Sequence, residues 1–224
     1  MAAMEAAETR EGTEHEPGTH RRKDRRGPER LEAFSDGVFA IAITLLVLEI
    51  RVPEGEVLAD PGHLLAALGN LWPSYLGYVI SFITVGIIWA NHHNLIRLVA
   101  SVDHWLMLAN LGLLLVVGFV PFPTALLAGT LGTPSAQVGV LVYAATFLAL
   151  AVAFNILWYC LRRGEGVLRS DVSARSIAAI SRSYRLGPPG YAAAFVGALI
   201  NPVLGFAILI GLTALYTLPS SSGA

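Results

Sequence analysis

Ser35 and Asp36 lie inside the first long apolar run of the chain, and Arg30 stands at its edge. A carboxyl group at that depth is expensive in hydrocarbon and turns toward protein or water. Two readings follow for Asp36. In the structural one, it and Ser35 pair with donors on neighbouring helices. In the other, Asp36 binds an ion directly. A second polar cluster reads Trp89-Ala90-Asn91-His92-His93-Asn94. Adjacent helical histidines diverge by about 100° and lack the i, i+4 spacing of a zinc pair, so no metal site is expected there. Hydrogen bonds from these histidines to Asp36 or Ser35 are the better expectation. Such a network would hold the first apolar segment in place and respond to pH near neutrality. Thr84-Val85-Gly86 looks like the start of a carbonyl filter but continues Ile87-Ile88-Trp89, and it reads as ordinary helix. No phosphate loop, nucleophile elbow or Cys-x-x-Cys occurs, so neither an enzyme nor a cofactor is expected. Cys160 is the single cysteine and forms no intrachain disulfide.

The elements that must position these groups are apolar helices. Only 14% of the 224 residues are charged and 54% are hydrophobic, whereas soluble domains carry about a quarter charged residues. No Asp, Glu, Lys or Arg occurs from Pro61 to Ile96, from His104 to Leu161, or after Arg185. A span needs about 20 apolar residues, and the pattern predicts an all-α polytopic membrane protein of about six spans. The predicted spans are Leu31–Ile50, Leu64–Ala90 with Pro73 in its first turns, His104–Leu127 broken by Pro121 and Pro123, and Ser135–Leu161. Two shorter ones follow Pro188-Pro189, to about Ile200 and from Pro202 to Leu218, and they tilt or thin the bilayer. Residues 1–29 read as a disordered cytoplasmic tail, 30–218 as one membrane domain and 219–224 as a short C-terminal tail. The basic end of the leading tail either contacts anionic lipid headgroups or only fixes topology.

Charge placement orients the chain. With the N-terminus in the cytoplasm and six spans, all 15 Lys and Arg residues except Arg51 fall on the cytoplasmic side. Arg51 lies instead beside Glu49, Glu54, Glu56 and Asp60. The segment Ser170–Arg185 reads as an interfacial helix, with Val172, Ile177 and Ile180 on one side. In the first span, Ile41, Thr44, Leu45 and Leu48 share one narrow stripe. Periodicity alone leaves this stripe as a lipid-facing, packing or pore-lining face, because lipid and protein core are both apolar.

The run Arg30-x-x-x-Phe34-Ser35-Asp36, continued by Gly37-Val38-Phe39-Ala40-Ile41-Ala42-Ile43-Thr44-Leu45-Leu46-Val47-Leu48-Glu49-Ile50, closely resembles bacterial members of the endosomal/lysosomal potassium channel family, transmembrane protein 175. The likeness extends through Trp89-Ala-Asn-His92-His93, Asn110-Leu and Val120-Pro121-Phe122-Pro123-Thr124, over essentially everything after residue 29. It implies a homotetrameric cation channel in a bacterial inner membrane, without a pore-loop filter, whose first helices line the pore. Ile41 then matches the narrowest ring, Leu45 and Leu48 the rings outward of it, and Thr44 a layer favouring potassium. Arg30, Ser35, Asp36, Trp89, His92 and His93 match a network positioning the pore helix. Glu49, Glu54, Glu56 and Asp60 would concentrate cations at the outer mouth. The implied partners are further copies of the chain, membrane lipids, and K+ with other monovalent cations, but no nucleic acid. Two rival readings are a proton- or cation-coupled transporter, with Asp36 and the histidines as a relay, and a structural membrane protein whose first-span stripe only packs.

Overall fold

The computed structural model describes residues 26–217, so the two terminal tails lie almost wholly outside it. Every regular element among these residues is helical. In chain order they are α1 (Arg26–Leu45), α2 (Pro61–Asn70), α3 (Trp72–Ile96), α4 (His104–Phe119), α5 (Pro121–Thr130), α6 (Ala136–Arg163), α7 (Ala174–Arg185), α8 (Gly187–Ile200) and α9 (Pro202–Thr217). Two 3-10 segments, Leu46–Glu49 and Gly55–Ala59, follow α1. Four stretches are long and apolar enough to cross a membrane: Gly27–Glu49, Trp72–Ile96, His104–Thr130 and Ala136–Arg163. The protein is therefore a multi-pass membrane protein.

Three boundaries differ from the sequence reading. First, α1 begins at Arg26, so residues 26–29 belong to the helix and not to the tail. Pro28 and Glu29 suit a first turn, where a missing N–H is harmless and a negative charge meets the helix dipole. Second, the stretch from Leu64 to Ala90 is not one helix. The chain breaks at Leu71, and the span proper runs from Trp72 to Ile96. Pro73 is the cause, because its ring would clash with the carbonyl four residues back and it has no N–H to donate. Third, the interfacial helix starts at Ala174, capped by Ser173, whose side chain accepts from the Ser176 N–H, and Val172 falls before it. Pro121 and Pro123 break the third span less than their number suggests. Helix α5 resumes directly after Val120, with Pro121 in its first turn and the Thr124 hydroxyl donating to the Val120 carbonyl at 2.9 Å.

Helix α6 is the centre of the bundle. Helices α4 and α5 pack on one side of it, and α8 and α9 on another. Leu106, Leu113, Val117, Leu127, Tyr143 and Phe147 are buried at these contacts. The α8–α9 pair is an antiparallel hairpin. Its backbones approach so closely that a Cβ on Gly205 would lie 2.7 Å from the Cα of Ala198. Gln137, at the start of α6, donates to the Ala198 and Leu199 carbonyls that end α8. Trp158 and Asn155 of α6 in turn bond Ser181 and the Tyr184 carbonyl of α7.

The links after α3 and α6 are joined by an antiparallel bridge between Val99 and Leu168. Gly27, at the start of α1, faces Val102 in the first of these links. Arg30, Arg97, Arg162, Arg163 and Arg169 thus collect at one end of the bundle. The far end of α1 leads instead into the acidic segment Glu49–Asp60.

Candidate functional site on the first helix

Helix α1 has two faces with different surroundings. Ser35, Phe39, Ala42 and Leu46 recur at three and four residues, the spacing of one helical stripe, and all are buried against the bundle. The groups that α1 meets come from α3 and α4.

A directional chain of hydrogen bonds crosses that contact. Ser35 Oγ donates to its own helix at the Leu31 carbonyl, 2.8 Å away. Its oxygen is then free to accept from Asn110 Nδ2 at 3.0 Å. The carbonyl oxygen of Asn110 faces His92 Nε2 at 2.8 Å. An amide oxygen only accepts, so Nε2 carries the proton, which fixes the His92 tautomer. The Phe39 ring lies against the imidazole at 5.4 Å between centroids. Ser35, His92 and Asn110 are all fully buried. In a dry interior each would be costly without its partner, so the three together set the register of α1 against α3 and α4.

A second layer lies nearer the Arg30 end and is partly exposed. Glu32 and Asp36 are four residues apart on α1, as Trp89 and His93 are on α3, so each pair shares a face. Trp89 Nε1 donates to Asp36 Oδ1 at 2.8 Å. His93 Nδ1 lies 2.9 Å from Glu32 Oε1. The ligand atoms of Glu32, Asp36 and His93 all fall within 4.8 Å of one another.

Five of the six residues assigned to the positioning network, namely Ser35, Asp36, Trp89, His92 and His93, are therefore in contact across α1, α3 and α4. Arg30 is exposed and forms no side-chain hydrogen bond or ion pair among the described residues. Neither histidine hydrogen-bonds Asp36. His92 reaches Ser35 only through Asn110, and Asp36 takes Trp89 instead. The sequence reading had left out the bridging Asn110 and the outlying Glu32. An amide in the uncharged stretch from His104 to Leu161, and a carboxylate one turn before Asp36, were the available signals.

The other face of α1 has no partner among the described residues. Ile41 is 61% exposed, Leu48 is 68% exposed, and Leu45 and Thr44 are exposed with them. Thr44 Oγ1 donates to the Ile41 carbonyl at 2.9 Å. Its proton is committed to the helix, so its remaining lone pairs face outward as acceptors. Beyond Leu45 the helix tightens to a 3-10 turn, in which residues three apart eclipse. Leu45 and Leu48 therefore project on one line. At the acidic end, Glu54 and Glu56 are exposed. Asp60 is engaged differently, since its Oδ1 accepts from the Gly62 and His63 N–H groups and caps α2.

An all-helical multi-pass protein with a locked inner face and an unpartnered outer stripe on its first helix is the class that fold and site define. The family model for the endosomal/lysosomal potassium channel TMEM175 matches residues 30–121. A potassium channel of Chamaesiphon minutus is 45% identical over 193 residues, 86% of this chain and 95% of that protein. A potassium channel of Streptomyces collinus is 46% identical over 188 residues, 84% of this chain and 89% of its own. The crystal structure of a lysosomal potassium-selective channel TMEM175 homologue from Chamaesiphon minutus superposes with a TM-score of 0.76 at 43% identity, covering 87% of this chain and 98% of that one. The chain belongs to the TMEM175 family, which is a family of channels.

Proposed function

We propose that the chain is a potassium-permeable, weakly selective cation channel with no pore-loop filter, assembled as a homotetramer around its first helices. The observation that carries this reading is the Ile41–Leu48 stripe, which is exposed on a helix whose opposite face is locked into the subunit. Four such stripes facing one axis would form stacked rings. Helical rise places the Ile41, Leu45 and Leu48 rings about 6 Å apart. A narrow ring of branched aliphatic side chains sheds water and opposes a hydrated cation. Potassium yields its hydration shell more readily than sodium, so such a ring favours it without a carbonyl cage. The Thr44 oxygen, already turned outward as an acceptor, would replace part of the lost shell. Glu49, Glu54 and Glu56 would raise the local cation concentration at one mouth, with Asp60 contributing its charge while it caps α2.

Helices α8 and α9 supply the fifth and sixth crossings in this reading. Their 14 and 16 residues span only about 21 and 24 Å, short of the roughly 30 Å hydrocarbon core. The hairpin meets α6 from Gln137, bonded to the end of α8, to Ala151, which Gly187 faces, and beyond it α7 bonds Asn155 and Trp158. The basic end of the bundle then faces the cytoplasm, in a bacterial inner membrane.

The test is conduction by purified protein in planar bilayers. Unitary potassium currents far above carrier turnover are expected. An Ile41→Asn variant should change conductance or the potassium-to-sodium permeability ratio, with stability within about 0.5 kcal/mol of wild type because the site is exposed. Absence of unitary currents, or an Ile41→Asn protein that loses stability with unaltered permeation, would overturn the reading.

A further inference from the structure

Helix α3 meets α6 through Ser81, whose Oγ lies 2.9 Å from the Tyr143 hydroxyl, and meets α9 through Thr84 and Thr213. From there toward the Arg30 end the three helices draw apart, and a cavity of about 470 Å³ lies between them and α8. Small-molecule sites typically hold about 300–1,000 Å³. Ile87, Leu150, Phe154 and Leu215 give the cavity apolar walls, and no Asp, Glu, Lys, Arg or His among the described residues lines it. Leu186 and Leu215, which also border it, are 66% and 61% exposed, so its mouth is apolar and opens on the bilayer. The polar groups that line it are short of donors. Thr84 Oγ1 donates to the Ile80 carbonyl at 2.8 Å, and Thr213 Oγ1 donates to the Leu209 carbonyl at 3.0 Å. A hydroxyl has one proton, so the 3.0 Å contact between these two oxygens has none of its own, and both keep lone pairs to accept with. Asn155 Nδ2 is likewise committed to the Ala151 and Tyr184 carbonyls, which leaves its Oδ1 as an acceptor. Tyr191 also lines the cavity and is only 7% exposed, yet its hydroxyl has no partner among the described residues. Of the tyrosines there, Tyr143 alone has a paired hydroxyl.

We infer that this cavity binds a small uncharged amphiphile, one hydroxyl head on one hydrocarbon chain, taken up from the bilayer. A charged head would lie in the cavity without a counter-ion, which is costly in so apolar a setting. A hydroxyl head supplies the proton that the Thr84–Thr213 pair lacks, and its oxygen can accept from a tyrosine. The chain then lies along Ile87, Leu150 and Phe154. The site bears on α3 from behind, because Ile87 and Asn91 face the cavity while Trp89 and His93 face α1. Occupancy would therefore restrain the helix that holds α1 and change conduction, a consequence that rests on the channel reading.

The site is tested without conduction by photolabelling the full-length protein in phosphatidylcholine vesicles with an octanol that carries a diazirine, and mapping the adducts by mass spectrometry. Adducts are expected on Tyr191 and Tyr216, and excess n-decanol should suppress them. The lipid-facing Ile156, 51% exposed on α6, serves as the unsaturable control. At equal mole fraction in the membrane, n-decane, with the same chain and no proton to donate, should compete at least tenfold less well. Tyr191→Phe, read at Tyr216, should raise the n-decanol needed for half-suppression at least threefold. Ala151→Phe fills the cavity and should abolish the Tyr191 and Tyr216 adducts while labelling at Ile156 persists. If that variant fails to fold, the wild-type competition and Tyr191→Phe decide. Equal competition by n-decane, or labelling at Tyr191 no more suppressible than at Ile156, would overturn the inference. In bilayers n-decanol should also change potassium current, and by less in Tyr191→Phe. Saturable labelling with no effect on current leaves the site standing and counts against the coupling to conduction alone.

Discussion

Between Leu31 and Phe39, α1 directs Ser35 and Asp36 toward the bundle, and each finds a donor or acceptor on α3, α4 or its own backbone. Between Ile41 and Leu48, Ala42 and Leu46 stay buried, while the stripe of Ile41, Thr44, Leu45 and Leu48 points outward, where the subunit offers no partner beyond the segment's own backbone. The first half is specified by pairwise contacts within one chain. The second half is specified by what surrounds the chain. Mutations should therefore separate them: changes in the first half act on stability and reach permeation only through helix position, while changes in the second half act on permeation with stability nearly intact.

The largest stability effect is expected at Asn110. Replacing it with Leu, of similar volume, removes both the acceptor of His92 and the donor to Ser35. Ser35 keeps its bond to the Leu31 carbonyl, but His92 is left in the core with neither ring nitrogen satisfied. A stranded buried polar group costs about 1–3 kcal/mol. Thermal unfolding in detergent should show an Asn110→Leu midpoint well below that of any stripe variant. A midpoint equal to wild type would mean that α1 is held by apolar packing alone and that the contrast between its halves is false.

Trp89→Phe comes next. It keeps a ring at the α1–α3 contact and deletes only the N–H that Asp36 accepts. The pair is partly exposed, so water can replace the donor, and the loss should be about 1 kcal/mol, below the range of about 1.5–3 kcal/mol for hydrogen bonds to charged groups. A drop as large as that of Asn110→Leu would show that the partly exposed layer, rather than the buried one, sets the helix position.

The first half of α1 was partly legible from the residues themselves. Asp36 and Ser35 inside an apolar run call for partners, and the Trp89–His93 cluster is the nearest supply. The specific pairings were not legible, because they depend on the rotation of α3 about its axis. That rotation places His92 toward α4 and His93 toward α1, so the adjacent histidines join different networks. The break at Leu71 is half visible in the sequence: Pro73 marks the place, but a proline in the first turn of a long helix and one that divides two helices look alike in sequence. The second half of α1 is the reverse case. Its residues were all identified as a stripe, and a single chain shows the stripe as unpartnered without distinguishing lipid from pore. Only an assembly determines what the stripe faces.

The smallest stability change, and the most informative about the outer half, is expected for Thr44→Val. Valine nearly preserves the shape of threonine, and the hydroxyl it deletes bonds only the exposed Ile41 carbonyl, where water can substitute. Stability should move by no more than about 0.5 kcal/mol. The substitution nevertheless removes the one side-chain oxygen in the stripe. If the hydroxyl replaces part of potassium's hydration shell, reversal potentials in mixed potassium and sodium should shift toward equal permeability, while current through the unaltered Ile41 ring persists. If selectivity is unchanged in Thr44→Val but lost in Ile41→Asn, the aliphatic constriction alone discriminates between the ions, and the outward oxygen is a consequence of the hydroxyl's bond to its own helix, not a coordinating layer.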